Sequence, residues 1–227
     1  MREIRFKVGD EPVSGLLETP PSAHAILAIA HGAGAGMRHR FLGDLSKGLA
    51  KRGVATLRYQ FPYMEAGRKR PDPPAKAVAA VRAALAEAER LEPDLPLFAG
   101  GKSFGGRMTS TAEAEGHMAG VIGLMFFGFP LHAPGKPSTE RGDHLREVRV
   151  PMLFLQGTRD NFADSALIKK TCSSLGKRAR LVTFAEADHS FHVPKSSGST
   201  DAETLGAMIG ATADWMDELI GLPRRAQ

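Results

Sequence analysis

Cysteine is nearly absent from the sequence, and so are long apolar runs. The one cysteine of the 227 residues, Cys172, has no second thiol in the chain to form a disulfide, which is typical of proteins from a reducing compartment. No stretch approaches the roughly 20 apolar residues that cross a bilayer. The first residues, "MREIRFKVGDE", alternate charged and apolar side chains and lack the apolar core of a signal peptide. We therefore expect a cytoplasmic protein with no membrane partner.

Aromatic residues are scarce as well, at 7% of the chain. The formal net charge of +5 is compatible with nucleic-acid binding, but the basic residues are scattered over 38–40, 51–52, 67–70 and 176–180 with acids between them. Aromatic side chains do not alternate with the basic ones, as they do in surfaces that stack bases. We expect a solvated surface that attracts acidic small molecules weakly, and no nucleic-acid partner.

Short apolar runs alternate with longer amphipathic segments. The runs at 25–30, 95–100, 120–130 and 150–157 are nearly continuous, as expected for strands buried on both faces of a sheet. The segments between them carry apolar residues at helical spacing. This alternation predicts one α/β domain over 1–227, with an opening pair of strands, a mostly parallel central sheet and helices on both faces.

One long stretch, 128–148, has no regular pattern and lies between two predicted core strands. Loops of this length inside a compact domain are uncommon and usually functional. The stretch is too short for a second domain. We expect an irregular insertion that contributes a minimal cap at most.

The stretch "FAGGKSFGGRM" (98–108) contains a lysine and a serine between two glycine pairs. A phosphate-binding loop of the form G-x-x-x-x-G-K-[ST] would need a glycine five residues before Gly101. Proline stands there, at Pro96. The spacing therefore excludes this kind of phosphate loop.

The same stretch matches G-x-S-x-G, with Ser103 as the central residue and both a buried strand before it and a helix after it. In that context the serine lies on a tight strand-to-helix bend. Gly101 and Gly105 would be needed because side chains two residues from the serine collide with the bend. Lys102 is expected to be an exposed spacer. The alternative is that Ser103 merely caps the following helix.

A serine nucleophile needs a base, and the base needs an orienting acid. In this kind of fold the chain order is Ser, then Asp or Glu, then His, each after a strand. Asp160 follows the run "VPMLFLQG", and His189 follows "ARLVTF", so Ser103, Asp160 and His189 are the predicted catalytic residues. Asp164 is a rival acid that resembles a helix cap, and His192 is a rival base.

Acyl transfer also requires donors for the oxyanion, usually the amide after the nucleophile and one from the loop after an early strand. Phe104 N–H is the first predicted donor. The loop "HGAGAGM" (31–37) follows the run at 25–30 and supplies the second, from Ala33 or, as the alternate, Gly34. We expect His31 and Gly32 to shape this loop.

A dinucleotide site is a minor alternative for the same loop. Gly32, Gly34 and Gly36 are followed by Met37, not by the third glycine of G-x-G-x-x-G, and no acid ends the next strand to hold a ribose. Arg58 could suit a 2′-phosphate, which leaves an NADP-type enzyme as the remaining form of this hypothesis. We expect no cofactor and no metal.

Several motifs together resemble one known family. They are "HGAGAGM", "RYQFPYMEAGRKRPDPP", "GGKSFGGRM", "GFPLHAPGKP", "LFLQGTRD" and "DHSFHVPK". They are similar to small α/β-hydrolase-fold proteins of the testis-expressed protein 30 and KANSL3-like hydrolase family, distantly related to dienelactone hydrolases. The resemblance implies an α/β-hydrolase fold with Ser103, Asp160 and His189 in the triad positions. Dienelactone hydrolases usually have a cysteine nucleophile, so their activity is not expected here.

These residues predict a serine hydrolase that works through an acyl-enzyme, a carboxylesterase or thioesterase for a small or short-acyl substrate. The pocket walls are expected from the segments after the strands, with Phe61, Tyr63, Phe129 and His132 as candidates. One alternative is a non-catalytic interaction module that keeps the fold. Another is an acyltransferase that uses the same site. The sequence makes no prediction of oligomeric state.

Overall fold

The computed structural model describes residues 1–223. Within that range eight strands form one sheet flanked by six α-helices. The strands are β1 (Arg2–Val8), β2 (Glu11–Glu18), β3 (Ala25–Ala30), β4 (Val54–Tyr59), β5 (Leu97–Lys102), β6 (Val121–Phe127), β7 (Met152–Gly157) and β8 (Ala179–Phe184). The helices are α1 (Arg40–Lys51), α2 (Pro62–Glu65), α3 (Pro74–Leu91), α4 (Phe104–Glu115), α5 (Ser165–Ser174) and α6 (Asp201–Leu219).

The sheet has the order β1-β2-β4-β3-β5-β6-β7-β8. The first two strands form an antiparallel hairpin, and β2 is also antiparallel to β4. Every other neighbouring pair is parallel. The prediction of a mostly parallel sheet that begins with a strand pair is confirmed.

The position of β3 between two helical layers explains why its sequence is apolar throughout. Leu27 and Ile29 pack into one core with α1 and α6, whereas Ile26 and Ala28 pack into a second core with α3 and α4. Successive side chains of a strand point to opposite faces, so a strand between two helical layers needs apolar residues at every position. The predicted helices on both faces of the sheet are confirmed.

The parallel strands bring distant parts of the chain to one edge of the sheet. Because β3 and β5 to β8 run in the same direction, the loops that follow them start at the same edge. These loops begin at residues 31, 103, 128, 158 and 185. Open α/β sheets bind their ligands at this carboxyl edge.

The segment 128–148 is less irregular than its sequence suggested, since it contains a 3₁₀ helix at Glu140–Glu147. Leu145 of that helix is buried. The His144 Nε2 atom lies 2.8 Å from the Ser110 hydroxyl of α4. The segment therefore packs along α4.

Close contact between β5 and β6 leads to a first prediction. Gly100 in β5 lies so near β6 that a Cβ atom there would overlap the Met125 carbonyl oxygen. We expect Gly100→Ala to push the strands apart and to lower the free energy of unfolding by about 1–3 kcal/mol. Thermal unfolding followed by circular dichroism measures this change.

Gly206→Ala in α6 is the matched control. A Cβ atom at Gly206 would have no neighbour within 4 Å, and alanine favours a helix more than glycine does. The control should keep or raise the melting temperature. Equal losses of stability in Gly100→Ala and Gly206→Ala would contradict the prediction.

Candidate active site

Ser103 occupies the tight bend between β5 and α4. Its backbone has φ of 50° and ψ of −116°, a left-handed conformation that is strained for a residue with a side chain. A Cβ atom at Gly101 would lie 2.7 Å from the Ala30 carbonyl oxygen, and one at Gly105 would lie 2.6 Å from the same atom. Both glycines are therefore needed for the bend to approach β3, as their spacing suggested. The Ser103 side chain makes no capping hydrogen bond to α4, so the helix-cap alternative has no support.

The structure brings Ser103, Asp160 and His189 together at the carboxyl edge. The Ser103 hydroxyl lies 2.8 Å from His189 Nε2. His189 Nδ1 lies 2.7 Å from Asp160 Oδ2. A carboxylate can only accept, so Nδ1 donates to Asp160 and Nε2 is left to accept from the serine. Hydroxyl, imidazole and carboxylate thus form one continuous hydrogen-bonded chain.

Two further donors fix the Asp160 carboxylate, whose side chain is completely buried. Gln156 Nε2 donates to Oδ2 at 2.5 Å, and the Phe162 amide donates to Oδ1 at 2.8 Å. Gln156 is itself oriented, because its Oε1 atom accepts from the Phe129 amide at 2.9 Å. These bonds leave Asp160 with one orientation towards His189. The sequence analysis missed Gln156, which is a polar residue at the end of an otherwise apolar strand.

The surroundings of His189 favour a neutral imidazole. Burial lowers the pKa of its imidazole below the ordinary value, the Lys102 cation lowers it further, and the hydrogen bond to Asp160 acts in the opposite direction. The Phe162 ring packs on the imidazole with centroids 4.4 Å apart. At neutral pH the ring is therefore unprotonated at Nε2 and able to take a proton.

The rival acid and base have other partners. Asp164 caps α5, where its side chain accepts from the Ala166 and Leu167 amides at 3.0 Å each. Exposed His192 pairs with the Asp201 carboxylate at 3.0 Å. Neither residue belongs to the hydrogen-bonded chain at Ser103.

The loop after β3 lies beside Ser103. Gly32 and Ala33 line the same pocket as the serine. The Gly34 amide donates to the Tyr63 hydroxyl at 2.9 Å and is therefore engaged elsewhere, which favours Ala33 over Gly34 as a free donor. Phe104 is the first residue of α4, where backbone amides have no acceptor within the helix.

His31 ties this loop to the turn after β4. Its Nδ1 atom donates to the Gly32 carbonyl at 2.7 Å, and its Nε2 atom accepts from the Phe61 amide at 3.2 Å. Burial lowers the pKa of His31 to about 4, so the ring is neutral, as this pair of bonds requires. The Gln60 side chain adds a bond to the Met37 amide at 2.8 Å. His31 thus shapes the loop through its contacts with both sides.

A pocket of about 330 Å³ opens beside Ser103. Its apolar walls include Ala35, Phe41, Leu42 and Phe162, and His39 is a polar wall residue. Phe41 and Leu42 belong to the first turn of α1, and both also pack with the core on that face of the sheet. The pocket is therefore walled mainly by the α1 side of the sheet edge.

The four side chains predicted as pocket walls are not among the residues that line this pocket in the described chain. Phe61 and Tyr63 are fully buried behind the loop after β3, where the Phe61 ring contacts His31 edge-on. Phe129 is buried against other aromatic rings of the core. His132 Nε2 accepts from the Asp164 amide. The chain turns these side chains inward after each strand, so their predicted place in the pocket wall has no support from this cavity.

Two other expectations are corrected. Arg58 is buried beside Glu18, with its guanidinium 3.8 Å from the carboxylate, so it cannot reach a nucleotide phosphate. Lys102 is not an exposed spacer, because it is partly buried and its ammonium donates to the His189 carbonyl at 2.6 Å. The dinucleotide alternative loses its one supporting residue.

Two kinds of feature are absent from residues 1–223. No group of three or more His, Cys, Asp and Glu side chains is arranged to hold a metal ion. No helix there is both long enough and apolar enough to span a bilayer.

The fold of this chain is similar to the folds of several solved structures. A dienelactone hydrolase from Anabaena variabilis is 20% identical, with a TM-score of 0.75 and 96% of each chain covered. XC6422 from Xanthomonas campestris, a member of the α/β serine hydrolases without a lid, is 19% identical, with a TM-score of 0.74 and coverage of 99% of this chain and 96% of the other. Est1E from Butyrivibrio proteoclasticus is 17% identical, with a TM-score of 0.74 and coverage of 96% and 99%. At these identities the likeness is one of fold.

A family model gives the stronger assignment. Residues 23–217 match the model of a family described as an alpha/beta hydrolase domain. The narrower resemblance to the testis-expressed protein 30 group stays a prediction. Because the match covers most of the chain, this protein belongs to the alpha/beta hydrolase domain family.

Proposed function

We propose that the protein is a serine hydrolase in which Ser103 is the nucleophile, His189 the base and Asp160 the orienting acid. The observation that carries the proposal is the hydrogen-bonded chain from the Ser103 hydroxyl through both nitrogens of His189 to Asp160, with distances of 2.8 and 2.7 Å. The strained backbone at Ser103 supports it, since strain of this kind clusters at active sites.

The first half of the reaction forms an acyl-enzyme. His189 Nε2 takes the hydroxyl proton while Ser103 Oγ bonds to the substrate carbonyl carbon. Asp160 stabilises the imidazolium that results and keeps its Nδ1 proton in place. The tetrahedral intermediate then collapses, the bond to the alcohol or thiol breaks, and the imidazolium returns its proton to the leaving group. Ser103 is left esterified.

Water completes the cycle. His189 takes a proton from a water molecule, whose oxygen attacks the acyl carbon, and Ser103 Oγ leaves with the proton that His189 carries. The Phe104 and Ala33 amides are the donors proposed for the oxyanion in both halves. Their role is supported by the position of Phe104 at the start of α4 and by the place of Ala33 in the pocket wall.

The pocket supports a small or short-acyl ester or thioester as substrate. Its volume of about 330 Å³ is at the low end for ligand sites. No residue of the 128–148 segment lines it within the described chain, so that segment gives no support to a lid for a long lipid. Transfer of the acyl group to an acceptor other than water would use the same residues.

Covalent labelling separates an enzyme from a non-catalytic module. A fluorophosphonate probe should label the wild-type protein, fail to label Ser103→Ala, and label His189→Gln far more slowly, because the probe needs an activated hydroxyl. His192→Gln is the matched control, since that exposed imidazole pairs with Asp201 and not with the serine. No labelling of the folded wild-type protein would favour the interaction module.

Removal of the nucleophile should abolish turnover. We expect Ser103→Ala to reduce kcat on a short-chain chromogenic ester on the order of a million-fold. Ser174→Ala, at an exposed serine near the end of α5, should leave kcat unchanged. Appreciable hydrolysis by purified Ser103→Ala would exclude Ser103 as the nucleophile.

The depressed pKa of His189 predicts the pH dependence. The base must be neutral to act, so kcat/KM should rise with pH and reach half its plateau below the ordinary histidine value of about 6.5. Asp160→Asn removes the carboxylate that favours the imidazolium, and should lower kcat on the order of 10⁴-fold and move the midpoint to still lower pH.

Asp164→Asn is the control for the acid, because asparagine caps a helix about as well as aspartate. It should keep the wild-type rate and pH profile. A midpoint above pH 7 in the wild-type protein, or equal losses in Asp160→Asn and Asp164→Asn, would contradict these assignments.

A further inference from the structure

We infer that Lys102 is a positioning residue of the proposed triad, one that holds His189 through its backbone carbonyl and places a cation behind the imidazole. The inference rests on the proposed function, because it assigns the lysine a part in the reaction of Ser103. It concerns the residue between the first glycine and the serine of G-x-S-x-G, a position where the motif accepts any side chain.

The first observation is a direct bridge between the two strand ends that carry nucleophile and base. Lys102 is the last residue of β5 and is covalently joined to Ser103. Its Nζ atom donates to the His189 carbonyl oxygen at 2.6 Å. A charge-assisted bond of this length is among the stronger hydrogen bonds in proteins. The loop that carries the base is therefore fastened to the backbone that carries the nucleophile.

The second observation is that the ammonium is enclosed. The Phe191 ring centroid lies 5.3 Å from Nζ, within the range of a cation–π contact. On another side is Gly128, where φ is +72° and a Cβ atom would come within 3.0 Å of Nζ and 3.5 Å of both Asp160 Oδ2 and His189 Cε1. The missing side chain at residue 128 thus leaves room for the amine beside the acid–base pair.

The third observation is the charge around this amine. Burial lowers the pKa of Lys102 to about 8, while Asp160 after β7 and Asp188 after β8 raise it. The side chain is therefore mostly protonated at pH 7. Its charge in turn disfavours a proton on His189. Asp160 and Asp188, which both favour the imidazolium, are opposed by one lysine.

Positioning and charge lead to the same functional result. The carbonyl bond keeps Nε2 of His189 within reach of the Ser103 hydroxyl, and the cation keeps that nitrogen free of a proton near neutral pH. Loss of Lys102 should therefore reduce the rate and also make the base titrate at higher pH. A lysine that served packing alone would change stability but not the titration of His189.

The test compares Lys102→Met, which keeps the length and removes the charge, with Lys102→Arg, which keeps the charge. In Lys102→Met we expect kcat to fall about 10- to 100-fold, as for other small misplacements of catalytic groups, and the acidic midpoint of kcat/KM to move to higher pH. In Lys102→Arg the midpoint should stay at its wild-type value. An equal shift in the two variants would overturn the inference.

A second readout is independent of hydrolysis. Titration of the histidine ring nitrogens by NMR, with His189→Gln used to assign the resonance, should show a higher pKa for His189 in Lys102→Met than in the wild-type chain. If the wild-type protein hydrolyses no ester, the proposed function fails, but this titration still decides whether Lys102 acts on His189.

Lys102→Gln is a second uncharged variant for the case that Lys102→Met does not fold. Glutamine retains a neutral hydrogen-bond donor in the polar surroundings of residue 102. Circular dichroism establishes which variants are folded. A folded Lys102→Met or Lys102→Gln protein with the wild-type His189 titration would overturn the inference, whether or not its rate is reduced. A raised His189 pKa in every neutral variant that folds, with the wild-type value in Lys102→Arg, supports it.

Discussion

The close approach of two strand ends underlies the whole site. The bend at Ser103 can lie against the end of β3 only because Gly101 and Gly105 carry no side chain where the Ala30 carbonyl stands. That approach sets the loop after β3 next to the serine, whose backbone adopts a left-handed conformation. The parallel strands on either side, with apolar residues on both faces, hold the strained turn in place.

The architecture and the proposed catalytic residues could be predicted because their signals are local. A strand covered on both faces must be apolar throughout, so continuous apolar runs in the sequence predict β3 and β6. A tight bend needs glycine at set positions, so G-x-S-x-G identified Ser103. The order of Asp160 and His189 along the chain follows from the strand order, which right-handed crossovers restrict to few possibilities.

The surroundings of those residues could not be predicted, because they depend on where loops turn in space. Phe61 and Phe129 follow strands at the carboxyl edge of the sheet, yet both side chains point into the core. Phe41 has the spacing of a core residue and does pack against the core, yet it also lines the pocket. Lys102 resembled a spacer because the carbonyl that its ammonium contacts lies 87 residues away along the chain. No local pattern connects residues so far apart.

The groups that hold the site in place mostly contact main-chain atoms. Gln156 accepts from the Phe129 amide, Lys102 donates to the His189 carbonyl, and His31 bonds to one backbone group on each side. A backbone amide or carbonyl is the same group whichever amino acid carries it, except that proline has no amide hydrogen to donate. Related chains could therefore vary at position 129 while they retain glutamine at 156, and paired substitutions would give little sign of this contact. Statistical coupling between positions would thus reveal the apolar core of such a protein more readily than the residues that hold the candidate site in place.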